Sequence, residues 1–318
     1  MRSPSPERSM SNLTLHALLG ESIDYAGLYP PASLDEPAAV SMHARLLGGG
    51  AAWIGARLVW PASRLSVLGT LARGHAPTAE PPRTEGAWAI SAVTPPIAQW
   101  DDFTASLAAV EEFNDRHASP GEPAMRVDCL EVKAASAAEI ERAIDVLPEC
   151  FTYWELPVDR DVRGLLIAIA DEGFGAKIRT GGTVAAAHPT IEQVAAFIEA
   201  CTLGRVPFKA TAGLHRALRH AVPAIGCTQH GFMNVIVGAC MMHAGAIDRA
   251  GLERLLADER RDAFTADARG IAWEGHRITA AQASLARAQL MHSFGSCSYD
   301  EPLEDLLAMG LVSNEECA

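Results

Sequence analysis

The chain has 318 residues, with 26 lysines and arginines against 39 aspartates and glutamates, for a formal net charge of -13. No basic run is available to neutralise phosphates, which excludes a nucleic-acid partner or an anionic membrane surface and leaves a small molecule as the expected partner. The first twelve residues hold no apolar signal core, and the longest apolar run, 232–242, is too short to span a bilayer. Seven cysteines, an odd number without a C-x-x-C pair, fit a reducing, cytoplasmic setting.

In chain order, residues 1–12 are expected to be flexible. Strand-like runs then recur at Ile23–Tyr29, Ala56–Trp60, Trp88–Thr94, Val127–Lys133, Phe151–Leu156, Gly175–Thr180, Pro207–Thr211 and Gly231–Val237. Four of them run into a proline (Pro30, Pro61, Pro95, Pro157), which cannot donate to a ladder and marks the exit from a sheet. Helices fill the intervals. Ser136 with Glu139, and Thr190 with Gln193, match the capping box that satisfies orphan N–H groups at a helix start. The triplet Pro-Ala-Ser follows successive strands at 31–33 and 61–63, an echo expected of repeated β/α units.

Eight strands alternating with helices predict an α/β fold, a (β/α)8 TIM-type barrel over residues 13–245. An open doubly wound sheet is the alternative; the missing G-x-G-x-x-G weakens its dinucleotide-binding form. Residues 246–318 break the alternation. They read as a helix over 252–263, a hairpin at Glu274-Gly275, a helix over 279–291, the segment 294–302 and a short final helix. This C-terminal extension is expected to act as a cap or oligomerisation element, so a homo-oligomer is among the expected states.

Only three of the 26 cationic residues are lysines, Lys133, Lys177 and Lys209, and each stands near the end of a predicted strand. Guanidinium stays protonated under working conditions, whereas an ammonium can lose its proton and become a nucleophile. The placement therefore points to a need for amines. Alternate residues of a barrel strand face inward, so Glu131 and Lys133 share one face of the fourth strand. Glu155 lies with Tyr153 on the fifth, Lys177 with Arg179 on the sixth, and Lys209 with Thr211 on the seventh. If those faces are inward, five charged groups converge, either as a catalytic cluster or as a structural ion-pair network.

The run Lys177-Ile-Arg-Thr-Gly-Gly182 followed by Lys209-Ala-Thr-Ala-Gly213 resembles the paired-lysine signature of deoxyribose-phosphate aldolase, a class I aldolase family. The resemblance spans about 40 of the 318 residues. It implies that Lys177 forms a Schiff base with a small carbonyl substrate and that Lys209 lowers its pKa. Departures accompany the match. The family's strand-four aspartate is matched here, by parity, only by Glu131. The segment His230–Asn234 lacks the small Gly/Ser loop that holds phosphate in the family, and Lys133 is additional.

Under this reading the catalytic candidates are Lys177, Lys209, Glu131, Lys133 and Glu155, with the carboxylates moving protons. Substrate-binding candidates are Arg179, Thr180, Thr211, His215 and the backbone around Gly181, Gly182 and Gly213, although these glycines could equally serve turns. No histidine spacing suggests a metal site, and no cofactor is expected. Asp24 and Tyr25 could face the site or make buried structural hydrogen bonds, and Cys297 reads as a loop thiol. Two other functions stay open: a barrel lyase, isomerase or decarboxylase without covalent attachment, with Glu131 and Glu155 holding a divalent cation in one form, and a non-catalytic anion-binding barrel.

Overall fold

The computed structural model describes residues 6–80, 85–170 and 172–317. Among them, eight parallel strands close into a barrel in sequential order: β1 Ile23–Tyr25, β2 Gly55–Pro61, β3 Trp88–Val93, β4 Met125–Lys133, β5 Phe151–Glu155, β6 Gly175–Arg179, β7 Phe208–Thr211 and β8 Met291–Ser296. β8 pairs with both β7 and β1, which closes the ring. The predicted TIM-type fold is therefore present, with seven of its strands in the expected places, although the first ends at Tyr25 rather than running to Pro30.

The eighth strand is elsewhere. Gly231–Val237 does not form a strand; Phe232–His243 is a helix with ten consecutive buried residues from Phe232 to Met241. Apart from Asn234, whose amide donates to the carbonyls of Leu255 and Asp258, its buried residues carry no polar side chain, and it packs against β8 and against the helices Ile191–Gly204, Arg249–Leu256 and Ala280–Gln289. An unbroken apolar run has no period, so a buried helix and a buried strand read alike. The true eighth strand, Met-His-Ser-Phe-Gly-Ser, carries two serines and a glycine, which have little intrinsic strand preference.

This corrects the division at residue 245. Residues 246–290 belong to the crossover from β7 to β8, and the barrel ends only at Ser296. The crossover contains an antiparallel three-stranded sheet (Phe264–Asp267, Gly270–Trp273, His276–Ile278) that contacts the helix Pro6–Leu19. The expected hairpin is present: Glu274 and Gly275 have φ of 45° and 82°, the paired left-handed values of a tight two-residue turn. Residues 1–5 of the predicted flexible segment lie outside the described residues, whereas 6–19 are helical.

The main apolar core lies between barrel and helices. Phe197, on helix Ile191–Gly204, meets Phe208 of β7 edge-on at 5.5 Å, and each such buried ring contributes about 1.5–3 kcal/mol. The same helix starts with the full capping box of Thr190 and Gln193. At Ser136 the arrangement is partial: its hydroxyl accepts the Glu139 N–H, while the Glu139 carboxylate accepts the N–H of Ala135 instead. Among the described residues no helix is long and apolar enough to cross a membrane, and all seven cysteines are unpaired.

Candidate active site

The centre of the barrel is charged. Glu131 on β4 is 3% exposed and shared by both buried lysines: its Oε2 accepts from Lys177 Nζ at 2.6 Å and its Oε1 from Lys209 Nζ at 2.7 Å. Lys177 also meets Glu155 Oε2 at 2.8 Å. Lys209, with no exposure, also pairs with the equally buried Asp24 of β1. Register makes the convergence possible. Glu155, Lys177 and Lys209 are direct neighbours across β5, β6 and β7, and Ser293 of β8 stands beside Lys209.

Two serines complete the layer. Ser91 of β3 donates to Glu131 Oε1 at 2.7 Å, and Ser293 donates to Asp24 Oδ2 at 2.6 Å. Arg57 Nη1 approaches Asp24 Oδ1 at 4.0 Å but spends its fork on Asp128, at 2.8 Å. The result is a continuous chain, Glu155–Lys177–Glu131–Lys209–Asp24, in which three carboxylates face two ammoniums. Charges this deep persist because each is met by an opposite charge or a donor.

The electrostatics follow from that pairing. Burial alone would favour neutral Glu131, but the attraction of Lys177 and Lys209 outweighs it and holds the carboxyl well below the usual range. Burial alone would also neutralise Lys177, yet Glu131 and Glu155 push its pKa above the ordinary value. Lys209 is raised likewise, by Asp24 and then Glu131. The expectation of a depressed Lys177 amine is therefore corrected: the two carboxylates that touch it raise its pKa. Glu131 stands between the two cations, and the groups touching Lys177 are carboxylates. Tyr29, in the loop after β1, lies within reach of the same field: burial and then the charge of Glu131 raise its phenol, with Lys209 opposing.

Of the remaining candidates, Lys133 ends β4 on the exposed rim and makes no ion pair among the described residues. Arg179 is likewise exposed at the end of β6, with one long contact to the carbonyl of Gly181, 3.5 Å. Thr180 is fully buried and its hydroxyl donates to the carbonyls of Ala212, at 2.6 Å, and Thr211, at 3.2 Å, so it ties the β6 and β7 loops together. Thr211 donates to the carbonyl of Ile178 at 3.4 Å. Both hydroxyl protons go to backbone carbonyls, so in this arrangement neither is free to donate to a substrate.

Gly181 and Gly213 touch: a Cβ on Gly181 would come within 2.9 Å of Gly213 Cα, and Gly213 has φ +75°. A Cβ on Gly182 would lie 2.7 Å from that of Ala187. Close backbone approach thus already requires glycine here. His215 does not join the lysine layer. Its Nδ1 lies 3.5 Å from Cys297 Sγ and 3.7 Å from Glu301 Oε2.

From sequence alone Asp24 is only a residue that could face the site or make a buried hydrogen bond, and Ser91 and Ser293 have no assigned role. Asp24 and Ser91 carried a signal, a polar residue inside an apolar strand; Ser293 sat in a strand that was not recognised. Glu131 and Glu155, the pair that could hold a divalent cation, both point at the Lys177 ammonium.

No protein-family model and no curated protein matches the chain. Among solved structures it is similar to a nitroalkane oxidase from Streptomyces ansochromogenes, at 14% identity and a TM-score of 0.32, over 64% of this chain and 61% of that one. A likeness of that size carries no argument about chemistry.

Proposed function

We propose that the protein is an enzyme, a lyase of the class I aldolase type, in which Lys177 forms a Schiff base with a small carbonyl substrate. One observation carries the choice of nucleophile. Lys177 belongs to the buried carboxylate chain and yet keeps 7% of its side chain open, beside Glu155 with 12%, whereas Lys209 is sealed at 0%. A carbonyl entering the mouth meets Lys177 and Glu155 first. The paired lysines on β6 and β7, with Glu131 on β4, agree with what the aldolase resemblance implies. The unpaired cysteines support a cytoplasmic setting.

The ammonium of Lys177 first gives a proton to Glu155. The freed nitrogen pair attacks the carbonyl carbon, the C=O π pair moves to oxygen, and oxygen takes up a proton. Loss of water leaves an iminium. A carboxylate takes the β-hydroxyl proton, that oxygen's pair forms the carbonyl of the departing fragment, and the C–C pair passes into the iminium to give an enamine. A carboxylic acid protonates the enamine carbon, and water hydrolyses the resulting iminium to release product and Lys177. Lys209 keeps Glu131 ionised and placed. The exposed cations Lys133 and Arg179 lie at the rim, where an anionic substrate group would arrive.

A second reading draws on the raised pKa of Lys177: the ammonium could stay protonated and stabilise an enolate without covalent attachment. Sodium borohydride distinguishes them. Incubation with a panel of short aldehydes and ketones should leave a reduced adduct on Lys177, read by peptide mass. Lys177→Arg should lose both adduct and turnover, since arginine keeps the charge but cannot form the imine. Turnover of a carbonyl compound that leaves no adduct would replace the covalent reading with the second one.

A further inference from the structure

The loops following β7, β8 and β1 bring together a second group of reactive side chains at the C-terminal face of the barrel. Cys297 directly follows β8 and is 6% exposed. Its sulfur lies 3.5 Å from Nδ1 of His215, which comes from the loop after β7. Ala32, in the loop after β1, contributes a backbone N–H that opposes the rise of the Cys297 thiol. Glu301, in the helix Asp300–Ala308, approaches the same imidazole nitrogen at 3.7 Å. The imidazole of His215 therefore lies within proton-transfer reach of the sulfur.

We propose that Cys297 and His215 form a base-assisted thiol centre, separate from the lysine layer, that is alkylated by soft carbon electrophiles. In the step, Sγ bonds to the electrophilic carbon as the leaving group departs with its electron pair. His215 Nδ1, 3.5 Å from the sulfur, takes the S–H proton. This centre does not depend on Schiff-base chemistry at Lys177.

The groups facing the pair set its resting state. Burial, and then His220, push His215 below its ordinary pKa. Burial also pushes the Cys297 thiol up, Glu301 adds to this, and the Ala32 N–H opposes it. Tyr25 lies within the field of Cys297 and has its own phenol raised to about 12. At neutral pH the pair is therefore a thiol beside a neutral imidazole that can accept its proton, a state suited to general-base assistance rather than to a preformed thiolate.

The site makes reactivity independent of exposure. Cys150, Cys227 and Cys317 are each more exposed than Cys297 and lack a histidine partner among the described contacts. Native protein is treated with limiting iodoacetamide from pH 6 to 9, and each cysteine is followed by peptide mass. Cys297 is expected to be labelled first, at a rate nearly flat across neutral pH. An unassisted thiol instead gains about tenfold per pH unit below its pKa.

His215→Gln should slow Cys297 labelling at pH 7 by about a hundredfold and restore the steep slope. Earlier labelling of Cys150, Cys227 or Cys317 would overturn the proposal. So would a steep profile for Cys297 in the unaltered protein, which decides the matter even if the variant fails to fold. An unchanged rate in folded His215→Gln would overturn it as well.

Discussion

Lys177 and Arg179 lie two residues apart on one face of β6, about 6.6 Å along the strand, and occupy opposite environments. Lys177 is buried against two carboxylates; Arg179 is exposed with a single long carbonyl contact. The same step on β4 separates buried, doubly paired Glu131 from exposed Lys133. One layer along a strand therefore converts a sealed, mutually compensated charge into a free one. The inner layer has the composition for proton and covalent chemistry, and the rim has the composition for recruiting an anion.

The largest expected effect falls on the inner layer's shared group. Glu131→Gln leaves two buried ammoniums without their common partner and should cost about 3–5 kcal/mol of stability, read by urea unfolding. A loss under about 1 kcal/mol would mean that the layer is hydrated and that the contrast with the rim is not one of burial.

The pH dependence of stability should carry the same signature. The pKa of Glu131 is depressed on folding, so its contribution is present above its ordinary value of 4.5 and lost as pH falls through the lower folded value. Lys177 and Lys209 are raised. Their contribution is present below 10.5 and is lost as pH rises through the folded values. Unfolding followed by fluorescence should show a plateau between these limits, with declines on both sides; a maximum confined to neutral pH would contradict the pairing.

A smaller effect is expected on the activity profile. Lys209→Leu removes the cation that offsets Glu131, so the remaining carboxylates hold the Lys177 proton more tightly. Under the proposed mechanism kcat should rise with pH as Lys177 loses its proton, and in the variant that rise should lie at higher pH than in the unaltered protein, measured under saturating substrate. A profile that stays in place would show that Lys209 does not tune the nucleophile.

The smallest effects belong to the rim. Lys133→Ala and Arg179→Ala should change stability by no more than about 0.5 kcal/mol. With an anionic carbonyl substrate, Arg179→Ala should raise KM while leaving kcat unchanged, and borohydride trapping at Lys177 should persist. A drop in kcat equal to that in kcat/KM would move Arg179 into the reacting layer.

The chain's local pattern by itself determined seven of the eight barrel strands and which charged residues share a strand face; it grouped Lys133 with the buried charges, and only the structure placed it at the rim. Strand ends at proline, helix starts at Ser136 and Thr190, and a strict two-residue alternation put Glu131, Glu155, Lys177 and Lys209 on inward faces before any contact was known. Such features are set within a few residues by backbone sterics and side-chain direction.

Tertiary structure decided the rest. Phe232–His243 is a helix because its neighbours cover it on every side, and Met291–Ser296 is a strand because the gap between β7 and β1 needs one. Asp24 and Ser293 enter the site only when that gap closes, 269 residues apart in sequence and 2.6 Å apart in space. The protonation of Lys177 was likewise beyond local reach. A lysine beside another lysine suggests a depressed amine, but the sign depends on whether a carboxylate stands between them, and Coulomb energy depends on distances that only the closed barrel sets.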